Sequence, residues 1–224
     1  TATVWVKGDS AEVWASSQTP TDAKTTVAAI TGLPPEKITV NIMRSGGGFG
    51  RKLMNDVVAE AAAIAMVAKV PVKLTWDRGQ DFAHDWLRPG GWQRLTAALD
   101  AKGDIAAWHT HYVSYGKDGV LHPTAGLDGG LFPAGVIANY RAEATVLPIA
   151  STLGWLRAPI NNAFAFVTQG FIDECAHAAG RDAVEYRRAV LGAPRAIALK
   201  DGEGGAPYHT GRMRGVLDKA AAMA

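Results

Sequence analysis

The chain has 224 residues, of which 48% are hydrophobic and 20% charged, with a formal net charge of +2. That balance belongs to a folded globular protein and gives no electrostatic footprint for nucleic acid, and no apolar run approaches the length of a membrane span. Cys175 is the single cysteine, which excludes an internal disulfide framework and leaves too few thiolates for an iron–sulfur cluster or a cysteine zinc site within this chain.

Residues 3–6 and 12–15 read as short strands around a hairpin turn, Lys7-Gly8-Asp9-Ser10, with Trp5 and Trp14 packing on the sheet. A polar loop, Ser16-Ser17-Gln18-Thr19-Pro20, leads to a helix capped by Thr21 or Asp22 that runs to about Ile30 and stops at Gly32. Pro34-Pro35 turns the chain into a strand over 37–44, where Ile38, Val40 and Ile42 alternate with Thr39, Asn41 and Met43.

Next comes Arg44-Ser45-Gly46-Gly47-Gly48-Phe49-Gly50-Arg51-Lys52, with four glycines in five positions. Glycine serves where backbone takes positive φ or comes close to a ligand, and a strand–glycine–helix turn aims free amides forward. Neither standard phosphate fingerprint fits. Leu53 follows Lys52 where G-x-x-x-x-G-K-[ST] needs a hydroxyl, and G-x-G-x-x-G ends on Arg51 or Leu53. A nucleotide-phosphate enzyme is therefore disfavoured. A helix over 56–68 follows, capped by Asn55 or Asp56, with Val57, Ala61, Ile64, Ala65 and Ala68 on one face.

Pro71 breaks that helix, and 72–76 reads as a strand. The polar connection 77–91 holds Asp81, His84, Asp85 and Arg88, in no metal-ligand spacing. A long hairpin follows over 92–99 and 105–114, with His109 and His111 on one face, a weak metal signal without a third ligand. Residues 114–139 read as a long Gly/Pro-rich loop, and 141–147 as a strand. A second special turn, Leu156-Arg157-Ala158-Pro159-Ile160-Asn161-Asn162, precedes a helix over 163–179 with Phe164, Val167, Phe171, Ile172 and Cys175 on its buried stripe. Asp182 and Glu185 form a capping-box pattern for a helix ending at Leu191. Residues 192–207 read as loop, and Thr210 as the cap of a last helix. Both ends read as interior to a longer polypeptide. The pattern predicts an α+β fold of mixed sheets with packed helices, in two subdomains dividing near 76–88.

Several of these segments, in this order, resemble one family. They are Ser17-Gln18-Thr19-Pro20, Gly46-Gly47-Gly48-Phe49-Gly50-Arg51-Lys52, Pro71-Val72-Lys73-Leu74-Thr75-Trp76-Asp77-Arg78, Trp155-Leu156-Arg157-Ala158-Pro159 and Phe171-Ile172-Asp173-Glu174. The chain resembles the large, molybdopterin-binding subunit of the xanthine oxidase family of molybdenum hydroxylases, in its isoquinoline 1-oxidoreductase β-subunit or aldehyde dehydrogenase type. The likeness covers residues 1–191, a partial molybdopterin-binding domain, and 192–224 would lead to a missing C-terminal part.

The resemblance implies roles. Gln18 would face the metal's apical oxo ligand, Gly47, Gly48, Phe49 and Gly50 would bring backbone amides to the metal and pterin, and Arg157 would stand in the second loop at the metal. Leu53 and Pro159 would border the substrate pocket. The cofactor would be molybdenum–molybdopterin, in its cytosine dinucleotide form. The implied partners are a small [2Fe-2S] subunit, a cytochrome c electron acceptor and the rest of the large subunit. The implied reaction is hydroxylation by water at an electron-poor carbon. The resemblance leans to the bacterial periplasm over the cytoplasm.

Two departures bear on chemistry. The family's base is a Glu in a C-terminal Gly-x-Gly-Glu motif, and Gly202-Glu203-Gly204 does not match it. No catalytic residue is therefore expected in this chain, which alone should carry no cofactor and no turnover. Purine-oxidising members have Glu at the position of Leu53 and Arg-Gly-Phe-Gly where this chain has Arg157-Ala158-Pro159-Ile160. This favours an aldehyde or an N-heteroaromatic substrate over a purine. A non-catalytic scaffold or assembly piece of such a subunit is the competing reading, separable by cofactor content.

Overall fold

The structure is a computed structural model that describes residues 1–127, 130–197 and 208–224. Its elements are mixed helices and sheets, as the α+β pattern predicts. Contacts divide the chain into two units, Thr1–Arg88 with Ser151–Pro159, and Pro89–Ala150 with Ile160–Ala224.

In the first unit, strands β1 (Ala2–Val6) and β2 (Ala11–Ala15) form the expected hairpin. β3 (Ile38–Ile42) joins β2 in parallel, and β4 (Val72–Leu74) joins β1 antiparallel, giving the order β3-β2-β1-β4. Helix α1 (Pro20–Thr31) starts one residue earlier than its expected caps. Thr19 is the N-cap and Pro20, whose missing N–H costs nothing there, opens the helix. Gly32 ends it at φ 74°. Helix α2 (Asp56–Ala68) has the expected bounds, but its buried stripe is Val58, Ala61, Ala62 and Ala65, while Ile64 and Ala68 are exposed. Ala61 and Ala65 are buried as expected, and the rest of the predicted stripe is not, because the helix is apolar nearly all round and composition could not mark the inward face. Val4, Val13, Ala15 and Val27 complete this core. Trp5 and Trp14 project to the opposite sheet face, since side chains alternate along β1 and β2.

Within the connection expected as loop, Arg78–His84 forms a short helix, α3. Asp77 accepts the Gln80 amide at 2.8 Å and Gln80 returns a bond to the Asp77 amide at 3.0 Å. This Asp-x-x-Gln capping box was readable in the sequence.

In the second unit, β5 (Trp92–Leu99) and β6 (Ile105–Lys117) form the long hairpin. The loop expected over 114–139 contains a two-residue strand, β7 (Val120–Leu121), against the end of β6, and β8 (Asn139–Pro148) runs parallel to β6. Helix α4 (Asn161–Ala178) buries Phe164, Thr168, Ile172, Cys175 and Ala176. Asp182 caps helix α5 (Ala183–Leu191) through two amides, while Glu185 turns to Arg188 instead of completing a box. Two short strands, β9 (Ala196–Ile197) and β10 (Tyr208–His209), pair before helix α6 (Thr210–Ala221). His209 caps α6 through the Gly211 amide, and Thr210 is buried, its hydroxyl bonded to Ala193 and Arg195. The Gly202-Glu203-Gly204 stretch and most of the 192–207 loop lie outside the described residues.

Candidate functional site

The glycine loop leaves β3 and runs to a single 3-10 turn, Arg51–Leu53. Two of its glycines are required by neighbours. A Cβ on Gly48 would overlap the side-chain oxygen of Gln18 and stand 3.0 Å from its Cδ. A Cβ on Gly50, whose φ is 90°, would stand 2.7 Å from the Leu156 carbonyl carbon. The loop therefore touches the Gln18 turn on one side and the second special turn on the other, although Leu156 is far away in sequence. Phe49 sits between them at φ 52° and is 66% exposed. Ala158, in the second turn, has φ 51°. Each turn thus holds one non-glycine residue in the left-handed region, a strain that persists only where surroundings enforce it.

Gln18 is held by its backbone. Its amide donates to the Lys52 carbonyl at 2.9 Å. Ser17 donates to Asn55 at 2.8 Å, Asn55 donates to Thr19 Oγ1 at 3.0 Å, and Thr19 donates to the Leu53 carbonyl at 3.1 Å. Asn55, or else Asp56, was expected to cap α2 with its side chain. Asn55 occupies the N-cap position without that bond, because its amide is engaged in tying the Gln18 turn to the loop exit.

Arg51 anchors the other end. Its guanidinium makes two parallel bonds to Asp56, at 2.8 and 2.7 Å, and a third to Asp85. Trp86 adds an indole bond to Asp56 at 3.0 Å. Burial opposes ionisation of Asp56 most strongly, but the bonds from Arg51 and Trp86 outweigh it and hold the carboxyl below its ordinary range. Burial likewise opposes the Arg51 charge, and the two aspartates more than compensate. The second turn is pinned by Leu87, which donates to Thr152 and accepts from Gly154, both at 3.0 Å. Arg88 donates to the carbonyls of Arg157, Ala158 and Pro159.

Gln18 and the exposed guanidinium of Arg157 are thus placed on turns that meet the same glycine loop. Leu53 and Pro159 are half-buried within those turns. Among the described residues the amides of Gly48, Phe49 and Gly50 donate to no protein acceptor. A nearby cavity of about 380 Å³ has Ser17, Arg51, Asn55 and Trp76 in its walls, but Gln18, Phe49 and Arg157 do not line it. The chemistry suggested by the turns is on their open faces and not inside that cavity. Free amides, a carboxamide and one guanidinium suit an anion rich in oxygen atoms. Among the described residues no group of three His, Cys, Asp or Glu could ligate a metal, so a metal here would have to arrive with ligands of its own. His109 is bonded to Glu143 at 2.8 Å and His111 to Thr145 at 2.9 Å, both on an exposed sheet face. Cys175 is a core residue of α4. The clamp of Arg51, Asp56, Asp85, Trp86 and Arg88 was not legible in advance, since its members are bonded across gaps of up to 71 residues.

Residues 1–191 match the model of the molybdopterin cofactor-binding domain. The chain is similar to a nicotinate dehydrogenase subunit of Pseudomonas putida, at 29% identity over 202 residues, spanning 84% of this chain and 17% of that one. It is also similar to the β-subunit of isoquinoline 1-oxidoreductase of Brevundimonas diminuta, at 35% identity over 103 residues, spanning 45% of this chain and 13% of that one. The fold matches the aldehyde oxidoreductase of Desulfovibrio gigas with a TM-score of 0.74 at 18% identity, over 99% of this chain and 25% of that one.

Proposed function

The chain belongs to the molybdopterin cofactor-binding domain family, and on that premise we propose that it forms part of the molybdenum-cofactor subunit of an oxidoreductase acting on aldehydes or N-heteroaromatics with water. One observation carries the placing of the site: the approach of Gln18 to Gly48 and of Leu156 to Gly50, which unites three turns of the chain. In this reading Gln18, Gly47, Gly48, Phe49, Gly50 and Arg157 hold the cofactor. The loop amides and the Gln18 carboxamide donate to its oxygen atoms without introducing net charge, and Arg157 supplies one positive charge. When bound, the cofactor supplies the two-electron redox chemistry, and the protein orients it.

The base is proposed to come from sequence other than these described residues. Asp56 and Asp85, which reach the exit of the glycine loop, are both committed to Arg51, and a proton acceptor must be within hydrogen-bond reach of the proton it takes. The cytosine dinucleotide form of the cofactor, a small [2Fe-2S] subunit, a cytochrome c acceptor and a periplasmic compartment complete the proposal by resemblance. With Leu53 apolar, a purine would leave a polar group without a partner there, at a cost of about 1–3 kcal/mol.

The test uses the complete large subunit with its small partner. Gln18→Ala should lower molybdenum per protein by elemental analysis, and an aromatic aldehyde should be oxidised with a higher kcat/KM than hypoxanthine. Unchanged molybdenum in Gln18→Ala would remove the cofactor role of that turn. Equal kcat/KM for the two substrates would remove the substrate assignment.

A further inference from the structure

Four consecutive residues, 85–88, reach both turns. Asp85 accepts from Arg51, at the exit of the glycine loop, and the same oxygen accepts the Trp86 amide at 2.8 Å. Trp86 bonds the carboxylate that Arg51 also grips, and its Cβ would stand 2.5 Å from a Cβ placed on Gly154. Leu87 exchanges two backbone bonds with Thr152 and Gly154. Arg88 gathers three successive carbonyls, those of Arg157, Ala158 and Pro159, the last at 3.1 Å. All of these groups lie within one unit of the fold.

We propose that residues 85–88 are a positioning bracket, and that Arg88 sets the second turn against the glycine loop. The planar guanidinium is suited to this, because its fixed fork of donors can serve several carbonyls at once. Ala158 sits among those carbonyls at φ 51°, a conformation that a non-glycine residue keeps only when surrounding bonds over-determine it. Releasing Arg88 lets Ala158 relax, and the backbone of Leu156 moves away from Gly50. The importance of the bracket for catalysis rests on the proposed function; its geometry does not.

Hydrogen exchange on the purified 224-residue chain tests the bracket without any cofactor. In Arg88→Ala, exchange of the Gly154 amide, bonded to Leu87, and of the Arg51 amide, bonded to Gly48, should rise about tenfold, a local opening, while the β1 and β2 amides keep their protection. Arg88→Lys should fall between the two, keeping charge and donors but losing the fork. Exchange within about twofold of the unaltered chain, too small for a lost local opening barrier, overturns the bracket. If Arg88→Ala loses protection throughout, Arg88→Lys decides: a rise confined to the two turns supports the bracket, and no rise or a general rise overturns it. In the complete enzyme, Arg88→Ala should lower molybdenum content and kcat with KM little changed. Faster turn exchange with full molybdenum and unchanged kcat would leave the bracket standing and remove the cofactor-facing reading of the turns.

Discussion

In the unit that bears the turns, the buried layer is mostly alanine and valine, Ala2, Val4, Ala11, Val13, Val27, Ala61, Ala62 and Ala65 among them, with Ile38 as the large exception. In the unit built on the long hairpin it is large and aromatic. Trp108 packs edge-on to Phe171 and Tyr112 to Phe164, each at 4.9 Å between ring centres, and the buried Tyr186 bonds the Gly103 carbonyl at 2.9 Å. Small side chains let a helix lie close on a sheet but define few unique positions, so the first unit places its turns with charged and polar bonds. Aromatic packing defines position by shape, and in the second unit ion pairs such as Arg187–Asp173 and Arg188–Asp218 reinforce it. A substitution should therefore reveal which strategy holds its own unit together.

The largest effect is expected in the aromatic core. Trp108→Ala should cost about 3–5 kcal/mol in urea unfolding, since the ring is 2% exposed and its indole nitrogen bonds Thr110. A loss under about 1 kcal/mol would mean that the aromatic core is not the organising element.

Next comes the clamp. Arg51→Ala should cost about 2–3 kcal/mol, less than a fully buried pair because a quarter of the side chain is exposed. The Asp56 carboxyl is held below its ordinary value of 3.8. Its contribution is therefore present above that value and is lost as pH falls through the lower folded value. The difference between Arg51→Ala and the unaltered chain should accordingly shrink below pH 3.8. A difference that stays constant with pH would show that the pair is not the source.

Two glycines then separate the units more finely. Gly50→Ala should cost about 1–3 kcal/mol, from positive φ and from the Leu156 backbone in its way. Gly170→Ala, within α4 with open space around its Cβ position, should stabilise by about 0.5–1 kcal/mol. Thermal unfolding of the two variants in opposite directions is the expected result. The same sign for both would contradict the contrast.

Much of the fold was legible, but unevenly. Helix α2 announced both its ends, because an acidic start and Pro71 frame it, yet not its inward face, because nearly every residue in it is apolar. The hairpin of β5 and β6 was clear from alternation. The parallel pairing of β8 with β6 was not, since a strand's sequence does not name its partner. At the site, the glycine loop was readable as a short-range pattern, and Gln18 and Arg157 were singled out by the family resemblance. The bonds that join them were not, because Arg51 to Asp85 and Arg88 to Pro159 are long-range choices made by the folded chain.

The unit bearing the turns is built from two stretches, Thr1–Arg88 and Ser151–Pro159, with Pro89–Ala150 between them in sequence. During synthesis the glycine loop and Arg88 therefore emerge before the turn they are to hold. At ribosomal rates of about 5–20 residues per second, the intervening stretch takes roughly 3–12 s to appear. Through that interval the Arg88 guanidinium has no carbonyls to bind and Gly50 has no Leu156 beside it, so the nascent chain displays an open half-site. Assembly of the turns is thus timed by elongation, and slowing the ribosome between these stretches would lengthen the period in which the half-site is exposed.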